Sequence, residues 1–577
     1  MNRKDRRATQ KTRTTAENAG ALFAQGAAAQ NAGDLDGAVR LYKRGLAIDA
    51  GNPAALNNLG AALLALGRLP EASERFRQAV LLQPAALDDF AALAGALAQL
   101  CPPLAAAATR AEQAWPERLP IDGLFDGGGF AAAASDPLFE TILQTTTVRT
   151  VGLERLLTML RHHLLRLALA TTADARAFDH VAFWCSLARQ CFINEYVFDV
   201  STGEAPDLDD LRTRVADAIA NNTAAPAAWI VALACYRPLD SLPGAATLAA
   251  RKWPEAVRAL IRQQIEEPAQ ERALKSSLKR LTAIDDDVSL RVQAQYEESP
   301  YPRWVLADPH LQPAALDDHL RATYPHAQFR PLGDRDPLDI LVAGCGTGRH
   351  AIGLARTYRN PRMLAVDLSA TSLAYAMRKT PHDLRFVIDY AQADILKLAS
   401  PERRFDLIET RGVLHHMRDP FEGWRALLPL LKPRGIMNVG LYSELARADV
   451  VEARAFIAAE GFPPTSDGIR RCRQAMLAHP QFRQFARLGD FYSTSDCRDL
   501  LFHTQECRLT IPQIRDFLAE QKLAFIGFEF APQTVQALRA AFAKAGRSIN
   551  NLDHWHAYET EHPDTFRTMY QFAVQKT

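Results

Sequence analysis

The sequence predicts an α/β domain with a doubly wound parallel sheet, preceded by an all-α amino-terminal half. Apolar residues recur at helical spacing through most of the first 290 positions. From about residue 338, apolar segments of strand length alternate with helical segments, which is typical of parallel sheets built from βα units. The first of these strands runs into a loop with three glycines, and ligands of such sheets bind where strands end.

Composition and charge favour a globular protein of the cytosol. Hydrophobic residues make up 48% of the 577 positions and the net charge is +1, so no global field favours nucleic acid or a membrane surface. The longest apolar run, residues 224–236, is shorter than the roughly 20 residues that a membrane-spanning helix needs. Residues 1–16 are basic without a following apolar stretch, which predicts a disordered tail rather than a secretory signal.

The amino-terminal half begins with a repeat. Four pairs of residues recur 34 positions apart: Gly26 and Gly60, Gly33 and Gly67, Ala38 and Ala72, Tyr42 and Phe76. This pattern resembles the tetratricopeptide repeat, a helical hairpin of that length, over residues 17–100, and a third copy fades at Cys101. The resemblance implies a concave surface for a protein partner. The alternative interpretation is that this short array of repeats is a helical cap packed on the next domain.

Residues 104–290 are predicted to form a helical domain without a repeat. We expect Asp287 to cap the helix that starts at Val288, since a carboxylate favours the free amides there. The next segment, Gln295 to Trp304, holds two prolines and three aromatic residues, so it cannot continue the helix. We expect this segment to pack on the domain that carries the glycine loop.

The sequence of the glycine loop discriminates between three classes of cofactor-binding protein. Its glycines are Gly344, Gly346 and Gly348, and Arg349 stands where the dinucleotide fingerprint needs its third glycine. No Gly-Lys-Ser/Thr follows, which excludes the phosphate loop of nucleotide hydrolases. G-x-G-x-G after an apolar strand resembles motif I of the class I S-adenosylmethionine-dependent methyltransferases.

Later segments extend this resemblance. The second strand ends in Asp367, 19 residues after Gly348, where a carboxylate can accept both ribose hydroxyls; nicotinamide enzymes share this feature. Asp394 follows the third strand, and the family places an aspartate there against the adenine amino group. The resemblance implies S-adenosylmethionine as cofactor, held by Gly344, Cys345, Gly346, Thr347, Gly348, Asp367, Leu368, Asp394, Ile395 and Glu409.

The family resemblance also implies a Rossmann-like, seven-stranded methyltransferase domain over residues 291–577, with insertions at 443–508 and 531–568. Glu409 and His415 are candidate catalytic residues, because topology places them near the methyl-bearing end, and Tyr296 is a third, expected to close over the cofactor. His503 lies in an insertion expected to form the wall of the acceptor pocket. No metal site is predicted, since the pairs His415/His416 and His554/His556 lack a carboxylate or cysteine at ligand spacing.

The sequence therefore predicts methyl transfer to oxygen, carbon or an amine of an unidentified small molecule or protein. The strand that carries Glu409 lacks the Asn- or Asp-Pro-Pro-Tyr of methylases that act on amides or base amino groups. Two other interpretations remain open. In the first, the chain is a non-catalytic interaction protein that uses the methyltransferase fold as a scaffold or cofactor sensor. In the second, which Arg349 disfavours, the chain is a nicotinamide oxidoreductase.

Overall fold

A computed structural model describes residues 18–30, 32–83, 99–172, 179–306, 313–398 and 404–577. The predicted tail and most of the fading third repeat lie outside these residues. The chain divides into two compact units. The first comprises Met1–Glu266, Trp304–Pro309 and Arg473–Thr494, and the second comprises Glu267–Arg303, His310–Cys472 and Ser495–Thr577.

The repeats of the first unit are two helical hairpins with equivalent contacts. A Cβ on Gly26 would lie 2.9 Å from the ring of Tyr42, and one on Gly60 would lie 2.7 Å from the ring of Phe76. Glycine at both positions lets the two helices of each hairpin approach closely. The helices span residues 18–30, Leu35–Leu46, Pro53–Ala65 and Leu69–Leu82.

One apolar core joins these repeats to the other helices of the first unit. Those helices are Pro102–Ala114, Ile121–Leu124, Gly129–Ala134, Pro137–Thr145, Val151–Ala170, Val181–Ile193, Glu204–Ala220, Ala227–Ala234, Ala246–Ala249 and Glu255–Ile261, followed by a π-helical turn at Arg262–Glu266 and accompanied by 3-10 turns at Leu239–Ser241, Arg483–Arg487 and Gly489–Phe491. Within the described ranges of the chain, no helix has both the length and the apolar character to cross a membrane.

The second unit is built on a seven-stranded sheet with the order β3-β2-β1-β4-β5-β7-β6. The strands are β1 (Leu338–Ala343), β2 (Pro361–Asp367), β3 (Ile388–Gln392), β4 (Phe405–Arg411), β5 (Leu431–Leu441), β6 (Leu523–Phe528) and β7 (Tyr570–Lys576). All neighbouring pairs are parallel except those of β7, which runs antiparallel to β5 and β6. The predicted fold class, a seven-stranded Rossmann-like sheet after an all-α region, is confirmed.

Helices fill the connections of the second unit. They are Glu267–Ser276, Asp287–Glu298, Leu316–Thr323, Arg349–Thr357, Ala370–Lys379, Pro420–Leu427, Ala448–Glu460, Ile511–Glu520, Pro532–Lys544 and Leu552–Glu561, with 3-10 turns at His382–Leu384, Ile395–Lys397, Leu414–His416, Leu428–Leu430 and Pro563–Phe566. The helix Ser466–Ala478 has its residues from Arg473 onward in the first unit, and the helix Thr494–Phe502 has all but its first residue in the second. The capping prediction for Asp287 is wrong by one residue. Asp286 is the cap, because its extended backbone lets its carboxylate accept from the amides of Val288 and Ser289.

Candidate functional site

The glycine loop follows β1 directly and curls back toward β2. The amide of Gly344 donates to the carbonyl of Val366 over 2.8 Å. Gly344, Gly346 and Gly348 have φ values of +79°, +53° and +83°, the left-handed region that side-chain-bearing residues rarely adopt. The three glycines are therefore required by the backbone path that turns the chain from β1 into the helix Arg349–Thr357.

A Gly348→Ala substitution is expected to destabilise the second unit by more than about 1–2 kcal/mol, the cost of a left-handed alanine. The new Cβ would also lie 2.5 Å from the Cβ of Ala376, so the helix Ala370–Lys379 would have to shift. Gly353→Ala is the matched control: its Cβ would meet nothing within 4 Å inside a helix, and a gain of up to about 1 kcal/mol is expected. Urea denaturation of both variants measures the difference; equal effects would contradict the requirement.

Asp367 ends β2 and faces the loop. Its Oδ2 accepts from the amide of Gly346 over 2.8 Å, and its Oδ1 accepts from the amide of Ser369 over 2.9 Å. Burial raises the pKa of this carboxyl to about 6, although the two amide hydrogen bonds act in the opposite direction. Each oxygen retains a further lone pair, so the ionised carboxylate can accept from two neighbouring hydroxyl groups.

Asp394 follows β3 and is almost fully buried, at 1% exposure. Its Oδ1 accepts from the amide of Leu396 over 3.0 Å, and its own amide donates to Oγ1 of Thr282 over 2.8 Å. Its Oδ2 is buried and has no hydrogen-bond partner among the residues that the structure describes. A buried acceptor of this kind calls for a donor, such as the amino group of a bound ligand.

The proline- and tyrosine-rich segment packs on the loop, as predicted, through residues 296–302. Thr347 donates its hydroxyl to the carbonyl of Pro302. The carbonyl of Tyr301 lies 2.8 Å from where a Cβ on Gly346 would stand, and Ser369 donates to the carbonyl of Tyr296 over 3.0 Å. This segment therefore forms one wall of the region around the loop and the end of β2.

Glu409, predicted to contact the cofactor or to act in catalysis, lies in β4 within a polar network. Its Oε1 accepts from Asn438 over 2.5 Å, and its Oε2 lies 3.1 Å from both Nε2 of His350 and Nε of Arg411. Burial alone would raise the pKa of Glu409, but the charge of Arg411 and the hydrogen bonds lower it to about 2. Both oxygens thus have partners within the domain.

Beyond β4 and β5, six aromatic and acidic side chains form what we name the tyrosine–histidine cluster. Its members are Tyr296, His415, His416, Tyr442, Asp499 and His503, and all except the half-buried Tyr296 are buried. The ring centroids of His416 and His503 are 3.6 Å apart, and those of His415 and Tyr442 are 3.7 Å apart. The cluster lies at the edge of the sheet where ligands of this fold class bind.

Hydrogen bonds link part of the cluster into a chain. Tyr296 donates its hydroxyl to Oδ1 of Asp499 over 2.7 Å and lies 3.1 Å from Nε2 of His503. The amide of Gln505 meets Nδ1 of His503 at 3.0 Å, and the carbonyl of Gln505 meets Nδ1 of His416 at 2.9 Å. Two of the residues proposed from the sequence, Tyr296 and His503, are therefore neighbours.

His415, the third predicted catalytic residue, is not part of this chain. Both of its ring nitrogens are buried without a hydrogen-bond partner in the described ranges, and burial lowers its pKa well below the ordinary value. The neighbouring His416 has the polar contacts instead. Sequence reasoning missed Asp499 and the backbone of Gln505 because no motif marks them; the adjacent histidine pair was the available signal for His416.

Three members of the cluster have ligand atoms within 4.8 Å of one another, namely His416, Asp499 and His503. The hydrogen-bond pattern argues against a metal ion between them. Nδ1 of His503 accepts from the amide of Gln505, so the proton of the neutral ring sits on Nε2, the nitrogen that faces Tyr296. A metal ion on that nitrogen would need its lone pair.

Two protein-family models match the chain. The model described as a methyltransferase domain matches residues 340–435, which run from β1 into β5. The model described as a tetratricopeptide repeat matches residues 29–100. These matches confirm both resemblances predicted from the sequence.

Curated relatives match only part of the chain. An uncharacterized protein of Synechococcus sp. is 29% identical over 259 residues, which are 43% of this chain and 61% of that protein. The ubiquinone biosynthesis O-methyltransferase of Alkalilimnicola ehrlichii is 32% identical over 127 residues, 19% of this chain and 50% of the relative. The chain thus spans about half to three-fifths of these relatives.

Solved structures are similar at low identity. PKMT2 from Rickettsia typhi in complex with AdoHcy is 19% identical, with a TM-score of 0.35 and coverage of 44% of this chain and 52% of that one. The N-methyltransferase NodS from Bradyrhizobium japonicum is 20% identical, with a TM-score of 0.20 and coverage of 28% and 75%.

Proposed function

Since the chain carries a methyltransferase domain together with tetratricopeptide repeats, we propose that it transfers a methyl group from S-adenosylmethionine to an acceptor at the carboxyl ends of β4 and β5. The observation that carries this proposal is the combination of the left-handed glycine loop, the carboxylate of Asp367 facing it and the unpartnered, buried Oδ2 of Asp394.

These residues fit the cofactor group by group. Asp367, whose Oδ2 already accepts from the amide of Gly346, would accept from the two ribose hydroxyls. The unpartnered Oδ2 of Asp394 would accept from the adenine amino group, and the buried side chain of Ile395 beside it would pack on the adenine ring. When bound, S-adenosylmethionine supplies an electrophilic methyl group on a sulfonium.

The chain's own task is then to hold the acceptor in line and to exclude water. Orientation of two reactants contributes up to about 7–11 kcal/mol in favourable cases, without any covalent chemistry by the protein. Tyr296 and the histidines of the tyrosine–histidine cluster are polar side chains at the edge where the acceptor would lie. Glu409 remains a candidate for cofactor contact, although its present partners favour a positioning role inside the sheet.

Calorimetric titration of the full chain with S-adenosylmethionine and S-adenosylhomocysteine tests the proposal. We expect micromolar binding by the wild type and at least about hundredfold weaker binding by Asp367→Ala, because two charge-assisted hydrogen bonds are lost. Asp389→Ala, an exposed carboxylate on the neighbouring strand β3, is the matched control and should bind normally. Binding of reduced nicotinamide dinucleotide without S-adenosylmethionine would instead favour an oxidoreductase.

Cofactor affinity should depend on pH through Asp367. Its pKa in the folded protein is raised to about 6, so the carboxyl takes up a proton as the pH falls through 6 and can no longer accept from both hydroxyls. The affinity should therefore be constant above about pH 7 and should fall about tenfold for each pH unit below 6. Titrations between pH 8 and 5 measure this; Asp367→Asn should bind weakly with a flat profile, and a flat wild-type profile would contradict the role.

We also propose that the repeats recruit a protein partner, which the tetratricopeptide-repeat match suggests. Their core is continuous with the helices that follow, so a partner would use the exposed faces of helices that already stabilise the first unit.

Incubation of the full chain with methyl-labelled cofactor and fractionated lysate distinguishes an enzyme from a non-catalytic cofactor sensor. Label transfer to any acceptor supports the enzyme, whereas cofactor binding without transfer supports a non-catalytic scaffold.

A further inference from the structure

The backbone of Gln505 sets the tautomers of two stacked histidines in opposite ways. Its N–H donates to Nδ1 of His503, so that nitrogen must be bare. Its carbonyl can only accept, so Nδ1 of His416, 2.9 Å away, must carry the proton of the neutral ring. Nε2 is therefore protonated in His503 and bare in His416.

The hydroxyl of Tyr296 fixes the same tautomer of His503 independently. That hydroxyl has one proton, which it donates to Oδ1 of Asp499 over 2.7 Å. It can therefore only accept from Nε2 of His503, 3.1 Å away, and this nitrogen must carry a proton. The chain runs from Gln505 through His503 and Tyr296 to Asp499, and every donor in it is used.

We propose that the bare Nε2 of His416 takes the proton of an acceptor hydroxyl, and that this site therefore selects a neutral, hydroxyl-bearing acceptor for O-methylation. The inference rests on the proposed methyltransferase function and names the acceptor class and base for the same site. His416 lies five residues beyond β4, at the edge of the sheet where this fold class binds its ligands.

The proton and electrons balance without another reactant. The O–H bond of the acceptor breaks, its proton forms a bond to Nε2 of His416, and its electron pair forms the new bond from oxygen to the methyl carbon. The bond from that carbon to sulfur breaks, and its electron pair stays on the sulfur, which loses its positive charge. The imidazolium of His416 then releases the proton to solvent.

The charges of the cluster favour a hydroxyl over an ammonium as acceptor. Asp499 already accepts from Tyr296, and Glu506 is paired with Arg447 at 2.6 Å and with Arg454 at 3.4 Å. A positively charged ammonium would therefore find the carboxylates of this region engaged. A neutral tertiary amine has no proton to lose and would have no need of the base.

Burial keeps the base available at neutral pH. It lowers the pKa of His416 to about 4, so the ring is neutral and its Nε2 lone pair is not blocked by a proton. The carbonyl of Gln505 acts in the other direction, and because it accepts from Nδ1 it would stabilise the imidazolium formed during transfer; the charge of Glu506 acts in the same direction and is opposed by those of Arg447 and Arg454. General bases of this kind contribute about 10²–10⁴-fold to a rate.

The tautomers can be measured without any acceptor. Long-range proton–nitrogen correlation spectra of the full chain with ¹⁵N-labelled histidine distinguish bare from protonated ring nitrogens. We expect a bare Nε2 in His416 and a bare Nδ1 in His503 at pH 7.5, with the signals assigned by His416→Asn and His503→Asn. A proton on Nε2 of His416 would overturn the proposal.

Methyl transfer to two probe phenols tests the role. The amide nitrogen of His416→Asn can still donate to the carbonyl of Gln505, but the variant lacks Nε2. With 4-methylphenol, which retains its proton at pH 8, we expect kcat to fall about 10²–10⁴-fold; with 4-nitrophenol, which is ionised, the loss should stay below about tenfold. The exposed His382→Asn is the control and should match the wild type.

The outcomes separate this inference from the proposed function. If the wild type fails to bind S-adenosylmethionine by calorimetry, the proposed function fails and the inference fails with it. If the wild type binds the cofactor but methylates neither phenol, or if His416→Asn loses both phenols equally at unchanged cofactor affinity, the hydroxyl-base inference alone is overturned. A larger loss of kcat for 4-methylphenol than for 4-nitrophenol, at unchanged affinity for S-adenosylmethionine, supports the hydroxyl-base inference.

Discussion

Replacement of Arg411 by methionine is expected to cost the sheet-bearing unit about 3–5 kcal/mol of folding free energy, the usual effect of breaking a buried ion pair. Arg411 ends β4, and its Nε lies 3.1 Å from Oε2 of Glu409, whose side chain is 1% exposed. Its other nitrogens contact Glu529 at 2.8 Å and Gln571 at 3.0 Å. Methionine fills a similar volume but leaves the carboxylate of Glu409 buried without its counter-charge.

The loss should depend on pH in a defined direction. The pKa of Glu409 is lowered from 4.5 to about 2 in the folded protein, so this carboxylate contributes stability that is present above about pH 4.5 and is lost as the pH falls through 2. Without Arg411, burial raises the pKa of Glu409, so the difference in stability between wild type and Arg411→Met should be largest at neutral pH and should narrow steadily as the pH falls toward 2. Urea denaturation at pH 7 and pH 3.5 measures both values.

An exposed pair in the same unit supplies the control. Arg425 lies 3.4 Å from Glu520 with both side chains about half exposed, so Arg425→Met should cost no more than about 1 kcal/mol.

The variant Glu409→Gln distinguishes a structural role of Glu409 from contact with the cofactor. We expect it to lower stability while the affinity for S-adenosylmethionine changes by less than about threefold. Lost affinity at unchanged stability would instead support the cofactor contact.

Local patterns were sufficient to predict the sheet and to place the glycine loop next to Asp367. Each strand was a short apolar segment, and the glycine loop and Asp367 followed β1 and β2 at fixed sequence distances. The structure keeps that order, with the amide of Gly346 bonded to Asp367. Such features depend on residues about twenty positions apart, which pattern reasoning can relate.

The contacts of the tyrosine–histidine cluster could not be predicted in the same way. Tyr296 meets Asp499 across 203 residues, and the tautomers of His416 and His503 depend on the backbone of Gln505, whose side-chain type carries no signal. The sequence predicted only that His503, in the insertion after β5, contributes to the wall of an acceptor pocket. It gave no means of telling which residues of that insertion turn inward, because their partners come from other elements.

The second prediction of a large effect concerns Arg473, which lies in the same insertion after β5 and belongs to the first unit. Arg473 is fully buried and pairs with both carboxylate oxygens of Glu154, at 3.0 and 2.7 Å, across 319 residues. It also donates to the carbonyls of Phe491 and Val197, at 2.6 and 3.2 Å. A planar guanidinium that uses this many donors in one buried geometry cannot be replaced by another side chain without leaving acceptors unpaired.

Arg473→Met is therefore expected to destabilise the first unit by about 3–5 kcal/mol, since it leaves the carboxylate of Glu154 buried and unpaired. The double variant Arg473→Met/Glu154→Met should recover most of that loss, because removing both charges removes the desolvation cost. Arg483→Met, in the same segment, breaks an exposed 3.5 Å pair with Glu112 and should cost at most about 1 kcal/mol. Hydrogen exchange of the backbone amides in the helix Val151–Ala170, which carries Glu154, measures the stability of the first unit. If the single and double variants exchange equally fast, the carbonyl contacts and not the ion pair hold this segment.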